Sequence, residues 1–208
     1  MDVRLLDLFC GAGGAAVGYH RAGFDEIVGV DNRPMPRYPF TFVQADALEY
    51  VAAHGHEFDA IHASPPCQAY SRALRHLSGP QPKLIDTTRT LLSGHLYVIE
   101  NVPGSPLPRF PGLFGEHGIE LCGSMFGLEV LRHRLFESNL MLARPERGCH
   151  HSSYLNPYNA VSRQREGIQT KSMQHFAKAM GVTWMSTSAE IGEAIPPAYT
   201  EFIGRQLM

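Results

Sequence analysis

The chain has 208 residues, 44% apolar and 18% charged, and a formal net charge of −2. This composition supports a folded core, excludes a disordered chain, and gives no overall electrostatic pull towards nucleic acid, so any nucleic-acid surface has to be local. The longest apolar runs, such as residues 28–30 and 96–99, fall far short of the ~20 residues that span a bilayer.

Residues 1–4 run straight into a strand-like segment with no signal-peptide pattern. The four cysteines, Cys10, Cys67, Cys122 and Cys149, are widely spaced, which favours reduced thiols over a disulfide framework. We therefore expect a soluble, cytoplasmic protein with no membrane partner, acting as a monomer.

Residues 4–9 read as a buried strand that ends in the glycine turn Gly11, Ala12, Gly13, Gly14, and a helix of small residues follows to about His20. Further short, apolar, β-forming runs lie at 26–30, 40–43, 58–63 and 96–99, the last preceded by a helix over 83–92. Strands separated by helix-length connections imply βαβ units, a mostly parallel sheet, and an α/β fold. Residues 119–122 and 134–136 read as two more strands, forming a hairpin-like end to the sheet. From 139 to 170 Asn, Pro, Tyr, Ser, His and Arg replace the apolar runs. This stretch reads as an insertion too small to fold alone. Helices over 171–180 and 187–207, the latter broken at Pro196 and Pro197, return the chain to the main domain. The expected organisation is one catalytic domain, 1–138 with 171–208, and a small recognition insertion, 139–170.

The first five strands end, in order, at Phe9 and Cys10, Asp31, Asp46, the Ser64, Pro65, Pro66, Cys67 turn, and Glu100 with Asn101. Ligands of open α/β sheets bind outside the carboxyl ends of the strands. Five successive polar or reactive groups delivered to one edge predict a site there. Glycines after the first strand let the backbone approach a ligand, and the following helix N-terminus favours negative charge. Asp31 is placed to accept hydrogen bonds from ribose hydroxyls and Asp46 to meet an adenine amino group, so the three together describe a nucleoside-cofactor pocket. Pro65 and Pro66 hold the Cys67 thiol in a rigid turn facing the cleft. Glu100, after the apolar run 97–99, is expected to be half-buried, with a raised pKa suited to holding a proton. An inert buried thiol, a surface carboxylate and an empty βα turn are the bland readings of the same groups taken singly.

In this order the motifs resemble those of the DNA cytosine-5 methyltransferases. Residues 7–14 are similar to that family's cofactor motif, with Val30, Asp31 and Asp46 fitting the next two. Pro65, Pro66, Cys67, Gln68 matches its nucleophile turn, Glu100, Asn101, Val102 its Glu-Asn-Val motif, and Arg132, His133, Arg134 its paired arginines. Residues 192–197 resemble the motif near its C-terminus.

The resemblance implies a Rossmann-like class I methyltransferase fold and S-adenosylmethionine held by Phe9, Cys10, Gly11, Gly13, Gly14, Asp31, Asn32, Asp46, Ala47 and Pro65. It implies catalysis by Cys67, Glu100, Arg132 and Arg134, and substrate contacts from Pro66, Gln68, Ser71, Arg72, Asn101 and Val102. The reaction would be methyl transfer to carbon 5 of cytosine in duplex DNA, through a Cys67 adduct on an extruded base, in a prokaryotic or phage-infected cell. Residues 69–82 would form a loop that closes over that base.

Three departures stand out: Val130 where a glutamine is usual, Glu193 where an asparagine is common, and the very short recognition region. The last keeps tRNA or a free cytosine nucleotide open as substrate. A non-catalytic binding module is opposed by the intact Cys67 and Glu100, and a dinucleotide oxidoreductase by the lack of its three-glycine fingerprint. Cys149, His150 and His151 have only the distant Cys122 as a further candidate ligand, so no metal is expected.

Overall fold

The computed structural model describes residues 2–71, 80–109, 117–151 and 173–208. Chain order runs β1 (Arg4–Leu8), α1 (Gly14–Ala22), β2 (Glu26–Asp31), β3 (Thr41–Gln44), α2 (Ala47–His54), β4 (Ala60–Ala63), α3 (Ile85–Leu92) and β5 (Tyr97–Asn101). It continues with β6 (His117–Leu121), β7 (Arg134–Ser138), α4 (Met173–Met180), α5 (Ser188–Glu193) and α6 (Pro197–Leu207). The expected strands and helices are present. Helix α2 was not anticipated: Asp46 caps it by accepting from the Leu48 and Glu49 amides. Pro197 at the start of α6 accounts for the break between the last two helices.

The seven strands lie in the order β3-β2-β1-β4-β5-β7-β6. The first five pair in parallel, whereas β7 pairs antiparallel with both β5 and β6. The two late strands therefore do end the sheet as an antiparallel pair, but β7 inserts next to β5 and β6 takes the edge. Strand order reverses between β1 and β4, which opens a crevice beyond their carboxyl ends.

Side chains alternate across the sheet, and each face buries its own set. Leu5, Ile27, Ala60, Val98 and Phe136 meet Ala16 and Tyr19 of α1 and Tyr199 and Ile203 of α6. Leu6, Leu8, Val28, Val30, Ile61, Ile99 and Leu135 meet Val51 of α2 and Ile85 and Leu92 of α3. A third cluster joins Ala12 and Val130 to Phe176 and Met180 of α4 and to Ile191 of α5. Val130, the first departure, is thus fully buried among apolar side chains. Among the described residues no helix is long and apolar enough to cross a membrane. Residues 139–151, the described part of the expected insertion, contain no helix or strand; residues 152–170 lie outside the described residues.

Helices α1 and α6 approach closely at Gly18, where a methyl group would collide with the Thr200 hydroxyl and the Pro197 carbonyl oxygen. The Thr200 hydroxyl already donates to the Ala15 carbonyl, at 2.8 Å. Gly18→Ala is expected to lower the unfolding free energy by about 2 kcal/mol through overpacking. Gly94→Ala, with no atom of the described residues within 4 Å of the added carbon, should stay within about 0.5 kcal/mol. Denaturant midpoints of the two variants check the contrast.

Candidate active site

The carboxyl ends of β1, β2, β4 and β5 and the start of α2 open onto one cleft of about 980 Å³, closed on its far side by residues 188–195. That volume is at the upper end of what small-molecule sites enclose. Of the residues expected to form the site, Phe9, Cys10, Gly11, Gly14, Asp31, Asn32, Asp46, Ala47, Pro65, Pro66, Cys67, Gln68, Ser71, Glu100, Val102 and Arg134 line it. Gly13, Asn101 and Arg132 do not, and Arg72 lies outside the described residues, as does most of the expected closing loop.

The turn after β1 is built for close approach. Phe9, Gly11 and Gly13 all have positive φ, at 56°, 49° and 82°. Such a backbone is uncommon for phenylalanine and concentrates at functional sites. Gly13 begins α1 without a side-chain cap, so the first amides of that helix face whatever occupies the turn. Asp31 clasps the turn from the next strand, accepting from the Gly11 amide at 3.1 Å and the Arg33 amide at 3.0 Å. Asp46 spends its Oδ1 on capping α2, so Oδ2 remains for a ligand at the cleft wall.

The far rim is tied down by ion pairs. Arg37 grips Glu190 through Nε at 2.8 and 3.1 Å. Although partial burial works against ionisation, Arg37 and the Ser186 and Thr187 amides hold the Glu190 carboxyl down at about 2. Glu193, the second departure, pairs with Arg33 at 2.9 Å, so its charge is answered within the chain.

Beneath Cys67 lies a buried polar layer. Glu100 is 6% exposed, more deeply placed than the half-burial expected, and its Oε1 meets Arg134 Nε at 2.9 Å. Desolvation raises the Glu100 pKa even though Arg134, Arg132 and a Ser64 hydrogen bond oppose it. Ser64 Oγ also lies 2.9 Å from His62 Nε2, and His62 Nδ1 lies 3.0 Å from the Tyr19 hydroxyl. Burial lowers the His62 pKa to about 3, so this imidazole is neutral and orients Ser64 without adding charge. Sequence reasoning missed this relay, although a histidine inside an otherwise apolar strand was the available signal.

Two residues have other tasks than expected. Asn101 does not reach the cleft; its Nδ2 donates to the Pro65 carbonyl at 2.8 Å and its Oδ1 accepts from the Val102 amide at 3.0 Å. It positions the Cys67 turn. Arg132, 2% exposed, donates to the Gly192 carbonyl at 2.6 Å, anchoring the cleft's far wall while adding positive potential beneath Glu100. Asp7, within the cofactor motif but not among the expected cofactor residues, is buried in β1: Tyr38 donates to its Oδ2 at 3.1 Å, whereas Oδ1 has no partner among the described residues. Desolvation raises the Asp7 pKa well above the ordinary carboxylate range.

A parallel sheet whose first turn and neighbouring strand ends make a nucleoside-sized cleft, with a thiol beyond β4, is the Rossmann-like class I methyltransferase fold. The S. pombe Dnmt2 methyltransferase shares that fold, with a TM-score of 0.62 and 12% identity over 99% of this chain and 98% of that one. Residues 3–103 match the C-5 cytosine-specific DNA methylase family. Among its relatives, Type II methyltransferase M.AquIA of Picosynechococcus is 30% identical over 50% of this chain and 50% of its own length. Type II methyltransferase M.FnuDI of Fusobacterium nucleatum is 34% identical over 49% of this chain and 33% of its own. The chain thus spans half the length, or less, of these curated relatives.

Desolvation and the neighbouring Glu100 raise the Cys67 pKa, and Arg134 only partly offsets them. In the resting site burial wins over the neighbouring cation. Alkylation of Cys67, followed on its own peptide by mass spectrometry, should therefore titrate above the ordinary thiol value of about 8.5. Glu100→Gln removes a repelling charge and leaves Arg134 unanswered, so it should move that midpoint down. A wild-type midpoint below the ordinary value would show that the cation dominates.

Proposed function

We propose that the chain transfers a methyl group from S-adenosylmethionine to carbon 5 of cytosine in DNA, with Cys67 as covalent nucleophile. The observation that carries this reading is the placement of Cys67, Glu100 and Arg134 on the wall of the same cleft as the glycine turn, Asp31 and Asp46. The cleft suits the cofactor chemically. The uncapped α1 amides suit a carboxylate, Asp31 a ribose and Asp46 Oδ2 an adenine amino group, and the orphaned Asp7 Oδ1 offers a partner to an ammonium. When bound, S-adenosylmethionine supplies an electrophilic methyl group.

The residues of the chain supply the rest. Carbon 5 of cytosine is too weak a nucleophile to be methylated directly. Attack of Cys67 Sγ on carbon 6 makes carbon 5 enamine-like. Glu100, with its raised pKa, holds N3 and the exocyclic amine and can deliver a proton to N3 as the thiol adds. Arg134 keeps Glu100 aimed and limits the charge the adduct places in a buried site. Once carbon 5 carries the methyl group, its proton passes to water in the cleft, Cys67 leaves carbon 6 as the thiolate, and N3 returns its proton to Glu100, which restores the ring. A duplex base reaches Cys67 only after extrusion from the stack, and Gln68 Oε1, buried without a partner among the described residues, is a ready acceptor for it. The polar stretch 139–170 is read as the surface that meets DNA, and the cytoplasm as the compartment.

The test is transfer of labelled methyl from S-adenosylmethionine to mixed-sequence duplex DNA, beside tRNA and dCMP. Label in duplex DNA is expected, with a loss of at least ~10³-fold in Cys67→Ser, since removing a covalent nucleophile typically costs that much or more. Label in tRNA or dCMP alone would replace the substrate, and an unchanged Cys67→Ser would remove the covalent mechanism.

A further inference from the structure

The sequence offers no CxxC and no regular ligand spacing, yet the fold gathers Cys122, His133, Cys149 and His151 in one place. Their four ligand atoms all lie within 4.8 Å of one another. Cys122 follows the end of β6, His133 immediately precedes β7, and Cys149 and His151 come from the start of the polar insertion. The expectation of no metal rested on the lack of four ligands at workable spacing, with Cys122 distant in sequence. The antiparallel pairing of β6 with β7 brings Cys122 and His133 together, and His133 takes the place that His150 does not. We propose that these four side chains bind a single zinc ion in a closed, structural Cys2His2 site.

The geometry supports an ion over a mere hydrogen-bonded cluster. In a tetrahedral site with metal–sulfur bonds of about 2.3 Å and metal–nitrogen bonds of about 2.0 Å, ligand atoms sit roughly 3.3–3.8 Å apart. Cys149 Sγ lies 3.4 Å from His133 Nε2, and Cys122 Sγ lies 3.9 Å from His151 Nε2. Cys149 Sγ and His151 Nε2 approach to 2.6 Å, below that spacing, so this one pair has to part by about 1 Å to share an ion. The rings of His133 and His151 stand nearly edge to face at 79°, so both present a nitrogen without stacking. All the cysteines are free thiols, so no disulfide competes for the ligands.

A supporting layer is also present. Ser124, fully buried, directs its hydroxyl to Cys122 Sγ at 3.3 Å and Cys149 Sγ at 3.7 Å, and accepts from the His150 amide at 3.1 Å. Donors to sulfur are what metal-bound thiolates need from their surroundings. Two thiolates also neutralise a divalent ion, which allows the site to sit beside Arg132 and Arg134.

The placement gives the ion a role, which rests on the functional reading above. His133 lies between Arg132 and Arg134, and its carbonyl accepts from Arg134 NH1 at 2.8 Å. A metal bonded to His133, Cys149 and His151 fixes the root of the insertion to the backbone that aims Arg134 at Glu100. It thereby supplies a staple to a segment too short to build its own core.

Metal content of the full chain, purified without chelator and with thiols kept reduced, tests this independently of activity. About one zinc per chain is expected, with tetrahedral thiolate–cobalt absorption when cobalt(II) replaces it. Cys149→Ser and His151→Ala should each lower zinc content about tenfold, while His150→Ala, outside the cluster, should keep it. A folded wild type, judged by circular dichroism, with less than about a tenth of a zinc and no cobalt absorption would overturn the proposal. So would a Cys122–Cys149 disulfide in the reduced preparation. A metal-free protein that methylates DNA defeats this site alone; a zinc-loaded protein inactive on every substrate defeats the functional reading alone.

Discussion

Everything in the cleft is arranged around one buried ion pair, Arg134 with Glu100 at 2.9 Å. Burying a carboxylate and a guanidinium costs several kcal/mol each before their attraction repays it. A fold seeking stability alone would do as well with apolar side chains at both positions. Here the pair sits where β5 and β7 run antiparallel, with Glu100 opposite Phe136 and Leu135 opposite Asn101. The insertion of β7 beside β5 is thus what brings a late arginine to a mid-chain glutamate. The adjoining Arg132 and Ser64, the latter oriented by neutral His62, complete the environment of the carboxylate. Polar burial of this density marks a place where charge must be held in a fixed position, as stabilisation of a developing charge requires.

The same economy governs the side of the cleft around the first turn. A left-handed turn at Phe9, Gly11 and Gly13 is clasped from the neighbouring strand by Asp31, so the ligand-facing backbone is fixed by a residue that is itself a ligand candidate. The opposite wall is anchored at its rim by Arg37 and Glu190, and beneath by Arg132 on the Gly192 carbonyl. Arg132 therefore serves both halves. Its backbone carbonyl accepts from the Tyr199 hydroxyl at 2.6 Å, which ties the arginine to α6. This coupling links the far wall of the cleft to the layer around Glu100 through buried groups.

Much of this arrangement was legible in the sequence because strand ends in an α/β sheet share one edge. Asp31, Asp46, Cys67 and Glu100 each follow a short apolar run, and the parallel sheet places them on one cleft. What was not legible depends on three-dimensional partnership. Asn101 carries the right chemistry for substrate contact but finds a closer backbone carbonyl at Pro65, and Arg132, expected in catalysis, also spends a donor on the Gly192 carbonyl. Asp7 and His62 stand in strand interiors, where periodicity predicts core and says nothing of polar relays. The resting state of the Cys67 thiol is likewise set in three dimensions, where desolvation outweighs the neighbouring Arg134. The metal-ligand cluster is the extreme case. Its members are scattered over 122–151, and only the β6–β7 pairing unites them.

The central claim is that Cys67 bonds to carbon 6 of a cytosine held by Glu100. It is tested most directly by incubating the protein with S-adenosylmethionine and duplex DNA carrying 5-fluorocytosine. Fluorine cannot leave carbon 5 as a proton does, so an adduct formed there after methyl transfer cannot resolve. The account predicts a stable protein–DNA conjugate whose mass includes one methyl group, mapped to the Cys67 peptide and absent in Cys67→Ser. A conjugate at another residue, or none in a protein that still methylates ordinary cytosine, would contradict it.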